Sequence, residues 1–168
     1  MSSSDRSEPL LFVSDAADLD ATTLYRILRL RVDVFVVEQA CPYPELDGRD
    51  IETTTRHLWF ADSDGGVLAT LRLMQDSSGP DERPEYRIGR VCTERSHRGE
   101  GLAAQLLKTA LGEVGDGICR IEAQTYLSQM YAGFGFTADS DEYLEDGIPH
   151  VSMIRVPSAA SAPTPGQE

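Results

Sequence analysis

The succession of strand-like and helix-like runs predicts an α/β (α+β) chain: a mixed, mostly antiparallel twisted sheet of about six or seven strands with helices on both faces. Three observations carry that expectation. Residues 57–61 and 67–74 are short β-rich runs joined by Asp62-Ser63-Asp64-Gly65-Gly66, which reads as a hairpin. Residues 86–93 read as a strand that runs through the turn Arg98-Gly99-Glu100-Gly101 into a helix, whose Leu102, Ala103, Leu106, Leu107, Ala110 and Leu111 keep helical spacing. Residues 118–124 then read as a further strand, so the helix crosses between two strands.

The remaining elements follow in chain order. Residues 1–9 are polar and Ser-rich and read as a disordered lead-in. Residues 10–13 open the sheet, and Asp18 or Asp20 caps a helix with Leu24, Ile27, Leu28, Arg31 and Phe35 on one stripe. Arg26 and Arg29 then face water, while Arg31 and Glu38 read either as a solvated or salt-bridged face or, for Glu38, as part of a cleft. Pro42 and Pro44 end the helical tendency, leaving residues 41–50 as a loop, and residues 77–84 form a second one. Tyr143 and residues 151–156 supply the last strands, and the Pro-, Ser- and Ala-rich residues 157–168 read as a disordered tail. One domain over residues 10–156 is the simplest division of a 168-residue chain.

Composition narrows the function. Twenty-eight acidic residues against 15 basic ones give a net charge of -13, and Lys108 is the only lysine, so nucleic acid and anionic membranes are poor partners. No apolar run approaches the ~20 residues of a membrane span and the start lacks the pattern of a signal peptide, which points to the cytoplasm. Cys41, Cys92 and Cys119 are odd in number and scattered, and His57, His97 and His150 lie far apart, so neither a disulfide framework nor a metal site is expected.

The glycine turn is the strongest chemical signal. Its two glycines let the backbone approach a ligand, and the helix that follows presents unpaired first-turn N–H groups and a positive dipole end, which together make an anion site. A P-loop would need Gly-Lys-Ser/Thr and a dinucleotide fingerprint a third glycine, and neither is present. Arg98-x-x-Gly101-x-Ala103 instead resembles the pyrophosphate-binding loop of the GNAT acetyltransferases, and Tyr131-x-x-x-Gly135-Phe136 resembles their segment whose tyrosine faces the coenzyme sulfur. The runs 28–39, 41–48 and 145–150 are similar to the ElaA-like branch, and the resemblance covers about residues 10–155.

That resemblance implies acetyl-coenzyme A as co-substrate, an amine-bearing acceptor and direct acetyl transfer. It implies the main chain of Arg98, Gly99, Glu100, Gly101, Leu102 and Ala103 on the pyrophosphate, and the backbone of Val91, Cys92 and Thr93 beside the thioester, where the sheet must splay to leave amides free. Gln124, at the end of the following strand, and Tyr131 complete the coenzyme side, with Tyr131 as general acid or, alternatively, a core packing residue.

An alkylamine of pKa ~10.4 is mostly protonated at pH 7, a penalty near 4.6 kcal/mol, so a base is required. Glu38, Glu94, Asp146 and His150 stay open for that role. Cys92 reads as a buried strand cysteine before a covalent nucleophile. A small primary amine is the expected acceptor. A protein lysine or amino terminus, a longer acyl group, a non-catalytic acyl-coenzyme A module and a homodimer remain open alternatives.

Overall fold

The strand signals become one sheet. In the computed structural model, which describes residues 7–76, 78 and 82–157, Leu10–Asp15 (β1), Thr55–Ala61 (β2), Val67–Gln75 (β3) and Glu85–Thr93 (β4) form an antiparallel meander. Ile118–Gln124 (β5) joins β4 in parallel, and Ile148–Arg155 (β8) runs antiparallel to β5. Thr137–Ala138 (β6) and Tyr143–Glu145 (β7) share the outer edge of β8. The spatial order is β1-β2-β3-β4-β5-β8-β6, with β7 also on β8.

The sheet thus has eight strands. The extra one is the two-residue β6, too short to leave a periodic signal, and the last strand starts at Ile148 because Asp146-Gly147 is the turn of a β7–β8 hairpin. The terminal runs 1–6 and 158–168 lie outside the described residues, as do residues 77 and 79–81 of the second loop.

Helices cover both faces because the strands alternate. On β2, Leu58 and Phe60 point to one face and Trp59 and Ala61 to the other. Leu102–Val114 (α2) packs Leu102, Leu106, Leu107, Ala110 and Val114 on the first face, where each fully buried Leu contributes about 1.5–3 kcal/mol. Ala21–Val32 (α1), capped by the Asp20 carboxylate on the Thr23 amide at 2.8 Å, packs Ile27 and Leu30 on the second. None of the helices among the described residues is long and apolar enough to cross a membrane.

α1 widens into a π-turn, Asp33–Glu38, marked by the Gln39 amide reaching the Val34 carbonyl at 3.2 Å. The wider turn departs from the 3.6-residue period, so Val34 joins the core and Phe35 is left at the wall of a cleft.

Arg31 belongs to the inward stripe and is 1% exposed, so its neighbourhood is ionic without being solvated. Its guanidinium donates to Glu45 at 2.8 and 3.0 Å and to Asp50. Arg72 on β3 donates to both oxygens of Asp47 at 2.8 Å and to Asp50 at 3.1 Å, and Arg90 on β4 lies 2.9 Å from Glu45. The loop that follows the π-turn is therefore pinned to α1, β3 and β4 by three arginines matched to three carboxylates.

Removing one partner of a buried pair leaves the others unmatched. Arg31→Ala should therefore cost about 3–5 kcal/mol in urea unfolding, whereas the exposed Arg29→Ala should change it by under ~0.5 kcal/mol. Burial works against ionisation of Asp50, but the hydrogen bonds and charges of Arg31 and Arg72 win and hold its carboxyl below the usual range. Its contribution is thus present in full above the unfolded value near ~3.9 and drains as pH falls below it. The acid-unfolding slope followed by circular dichroism should be shallower in Asp50→Asn.

Candidate active site

A cleft of about 1020 Å³ opens where β4 leaves β5. Parallel pairing stops at Ile88 with Ile121, while β3 stays with β4 as far as Thr93. Past Ile88, no strand among the described residues pairs with β4 on its β5 side, and the backbone groups turned that way are open to a ligand. A register shift between Thr70 and Arg72 marks a bulge in the β3–β4 ladder, with Arg90 on the bulged strand at φ 55°; such bulges re-aim the backbone. The splay expected at Val91, Cys92 and Thr93 is present, and all three line the cleft.

The glycine turn borders the same cleft. Gly99 and Gly101 have φ of 82° and 79°, which favours glycine, and a Cβ at either would meet nothing within 4 Å, so open space lies over the turn. Gly101 caps α2 with no side-chain bond, and the first backbone bond beyond it is Gln105 N–H to Gly101 C=O at 3.1 Å. Leu102, Ala103 and Ala104 thus present the orphan amides of the first turn.

Arg98 does not point a free charge at that space. It donates to both oxygens of Glu38 at 2.5 and 2.6 Å and to the Thr93 carbonyl at 3.1 Å, tying the turn to the end of the π-turn. The Arg98 hydrogen bond holds the Glu38 carboxyl below its usual range.

Tyr131 stands in a short helix, Ser128–Ala132 (α3), and belongs to both the core and the cleft wall. It is 4% exposed and packs edge-on against Phe136, with ring centroids 6.2 Å apart, yet it also lines the cleft. Burial raises its phenol above the ordinary range, so it keeps its proton at neutral pH. The Cys92 thiol is pushed up to about 12 by burial, which leaves no thiolate for covalent chemistry.

The remaining candidates separate. Glu94 caps the 3-10 turn Arg95–His97, accepting from the Ser96 amide at 3.0 Å and pairing with His97 Nδ1 at 2.9 Å, and is not among the cleft residues. Glu100 is exposed in the turn and does not line the cleft either. Asp146 and His150, from the β7–β8 hairpin, line the cleft with Glu145. Gln124 lines the cleft and reaches Gln39 at 3.4 Å. Among the described residues no group of three or more His, Cys, Asp or Glu is placed to hold a metal.

This architecture has relatives. The model of the acetyltransferase (GNAT) domain matches residues 29–156. The chain belongs to the GNAT family. A UPF0039 protein of Mycobacterium tuberculosis is 59% identical over 140 residues, 83% of this chain and 88% of that one. An acyl-CoA N-acyltransferase from Pseudomonas aeruginosa superposes with a TM-score of 0.80 at 40% identity, over 89% of this chain and 100% of that one. Escherichia coli ElaA superposes with a TM-score of 0.77 at 34% identity, over 88% and 99%. The ElaA-like resemblance of the sequence is thus borne out.

The part of the cleft away from the glycine turn is the less expected half. Arg72, Arg90 and Tyr43 line it, Tyr43 with its phenol pushed up to about 12 by burial and Arg90 over its ring at 5.8 Å. Gly89, opposite Arg72 at the parting of the strands, faces open space. One signal for this half was available: Arg72 is a lone charge in an otherwise apolar strand, which calls for a buried partner.

The open cradle at Gly99 and Gly101 fits the pyrophosphate of coenzyme A. Gly101→Asp puts a carboxylate at that anion site, and should weaken coenzyme A binding by roughly tenfold or more in calorimetry. The strained φ should lower Tm by only about 2–4 °C. Unchanged affinity would remove the turn from the binding site.

Proposed function

We propose that this GNAT protein is an acetyl-CoA-dependent N-acetyltransferase that moves the acetyl group directly to a primary amine of a small molecule. The observation that carries the reading is the parting of β4 from β5 beside an uncapped helix N-terminus, with a buried, protonated tyrosine in the same cleft. Bound there, acetyl-CoA supplies an activated thioester carbonyl. Main-chain amides of Arg98 to Ala103 hold its pyrophosphate, and amides of Val91 to Thr93 on the side that β5 leaves open supply hydrogen-bond donors for the carbonyl oxygen.

Tyr131 gives its proton to the departing sulfur. From an ordinary phenol to an ordinary thiolate this is uphill by about 2 kcal/mol. Desolvation raises both partners, as Cys92 shows for a thiol in the same wall, so the gap does not widen simply because the phenol is buried. The free thiols of Cys41, Cys92 and Cys119 suit a cytoplasmic setting.

The primary test is thiol release from acetyl-CoA against small amines, polyamines, lysine peptides and a no-acceptor blank. Acceptor-dependent release supports the reading, and release with peptides alone moves the acceptor to a protein. Binding without release across the panel favours a non-catalytic acyl-CoA module. Tyr131→Phe should lower kcat by roughly 10² to 10⁴ with acetyl-CoA affinity unchanged. A variant that fails to fold instead assigns Tyr131 to packing.

A further inference from the structure

We infer that His150 is the general base of this transfer, acting through Nε2, with Glu145 as its positioning residue; the inference rests on the N-acetyltransferase reading above. The three histidines occupy different situations. His57 is fully buried with Nε2 2.9 Å from the Asp50 carbonyl, and His97 is engaged by Glu94 at 2.9 Å and Ser96 at 3.1 Å, off the cleft lining. Only His150 both lines the cleft and keeps a ring nitrogen unengaged.

Its tautomer is set by geometry. Nδ1 lies 2.7 Å from the Ile148 carbonyl oxygen, which can only accept, so the neutral ring carries its proton on Nδ1 and a lone pair on Nε2. The Glu145 carboxylate stands 3.8 Å from Nε2, too far for a hydrogen bond, so it borders that nitrogen without consuming its lone pair. Tyr143 stacks on the imidazole with centroids 6.0 Å apart, and Glu122 holds the Tyr143 hydroxyl while accepting from Ser152 at 2.5 Å and from Arg87 at 3.1 Å. The ring is therefore fixed at one nitrogen and one face, with 12% of the side chain exposed.

The other candidates are less suited to accept a proton. Glu38 is bound by Arg98 through both oxygens, Glu94 is committed to its cap, and Asp146 is exposed in the hairpin turn at φ 49°. The charged groups around His150 are Glu145 on β7, Asp146 in the turn, and the Glu122–Arg87 pair on β5 and β4; Gln124, opposite it on β5, is neutral.

The step balances. The amine nitrogen gives its proton to His150 Nε2 as the N–C bond forms and the C–S bond breaks. The sulfur takes the Tyr131 proton, and the imidazolium then returns a proton to the Tyr131 phenolate by way of the cleft. The products are an amide and a free thiol, with both side chains restored.

Two measurements on the intact protein test this. Nitrogen-15 NMR of the histidine rings should show His150 as the Nδ1–H tautomer when neutral, and an Nε2–H tautomer overturns the proposal without reference to any acceptor. In the acetyl-CoA and amine assay, His150→Gln should lower kcat by roughly 10² to 10⁴, keep acetyl-CoA affinity within about twofold, and lose the acid limb of the kcat–pH profile.

Glu145→Gln should lower kcat by roughly tenfold while keeping the KM for acetyl-CoA within about twofold and the Nδ1–H tautomer in place; a merely structural role would move both kinetic constants together. His150→Gln turning over within threefold of the unaltered protein, with the limb intact, overturns the assignment while leaving the acetyltransferase reading in place. If the unaltered protein binds acetyl-CoA and acetylates no amine, the acetyltransferase reading falls and the base with it.

Discussion

Backbone amides in a sheet are normally consumed by the neighbouring strands, and the site here exists because one strand loses a neighbour on one side only. β4 keeps β3 to its last residue but loses β5 after Ile88. The two strands cannot close again, because β4 runs on into the glycine turn while β5 leads into the 3-10 turn Thr125–Leu127 and α3. The wedge is thus built into the crossover connection. The bulge at Arg90 turns the same stretch so that its guanidinium reaches Glu45 and its backbone follows the parting.

A wedge between strands needs a wall, and the ion cluster supplies it. Arg31, Arg72 and Arg90 come from three elements, and Glu45, Asp47 and Asp50 from one loop that has little apolar content of its own. Burying such groups offers little net stability over an apolar replacement, but it leaves few alternative matches. Loop residues 45–50 are therefore set in one register against the sheet, and Tyr43 and Cys41 are set with them, Cys41 reaching the Asp146 carbonyl at 3.5 Å across the cleft. The cluster also leaves each of these guanidinium groups neutralised from within, so Arg72 and Arg90 shape the cleft wall without giving it a net positive charge.

What the sequence made legible follows from these two constructions. The glycine turn, the α2 stripe and the strands around it are local: φ above zero, orphan amides and period-3.6 spacing are all written within about fifteen residues, as at Gly99 to Leu111. The splay was readable only as a requirement of the resemblance, at Val91 to Thr93. The pairing within the ion cluster was not readable, because its matches join residues 14 to 45 positions apart and a single sequence shows at most, as at Arg72, that a partner is needed. The π-turn was missed for a related reason: Phe35 continues the helical stripe on paper, and only packing of Val34 against Trp59 and Ala61 reveals the extra residue in the turn. Tyr131 remained divided between core and site in the sequence, and in the fold it occupies both.

The cleft is therefore walled in two different ways. At the glycine turn the groups on offer are main-chain amides, indifferent to side-chain identity except where φ above zero or a close approach demands glycine. Away from it the groups are side chains on a hairpin and a loop: His150 and Glu145 on β8 and β7, Tyr43 and Gln39 beyond the π-turn. Backbone sites are expensive to alter, since they require the fold to change, while side-chain sites change one residue at a time. A single GNAT frame can thus keep its coenzyme end and vary its acceptor end. On the proposed reading the proton-handling groups fit that division: Tyr131 is embedded in α3 and the core, and His150 stands among the hairpin side chains, where its tautomer is fixed by a carbonyl two residues before it on the same strand.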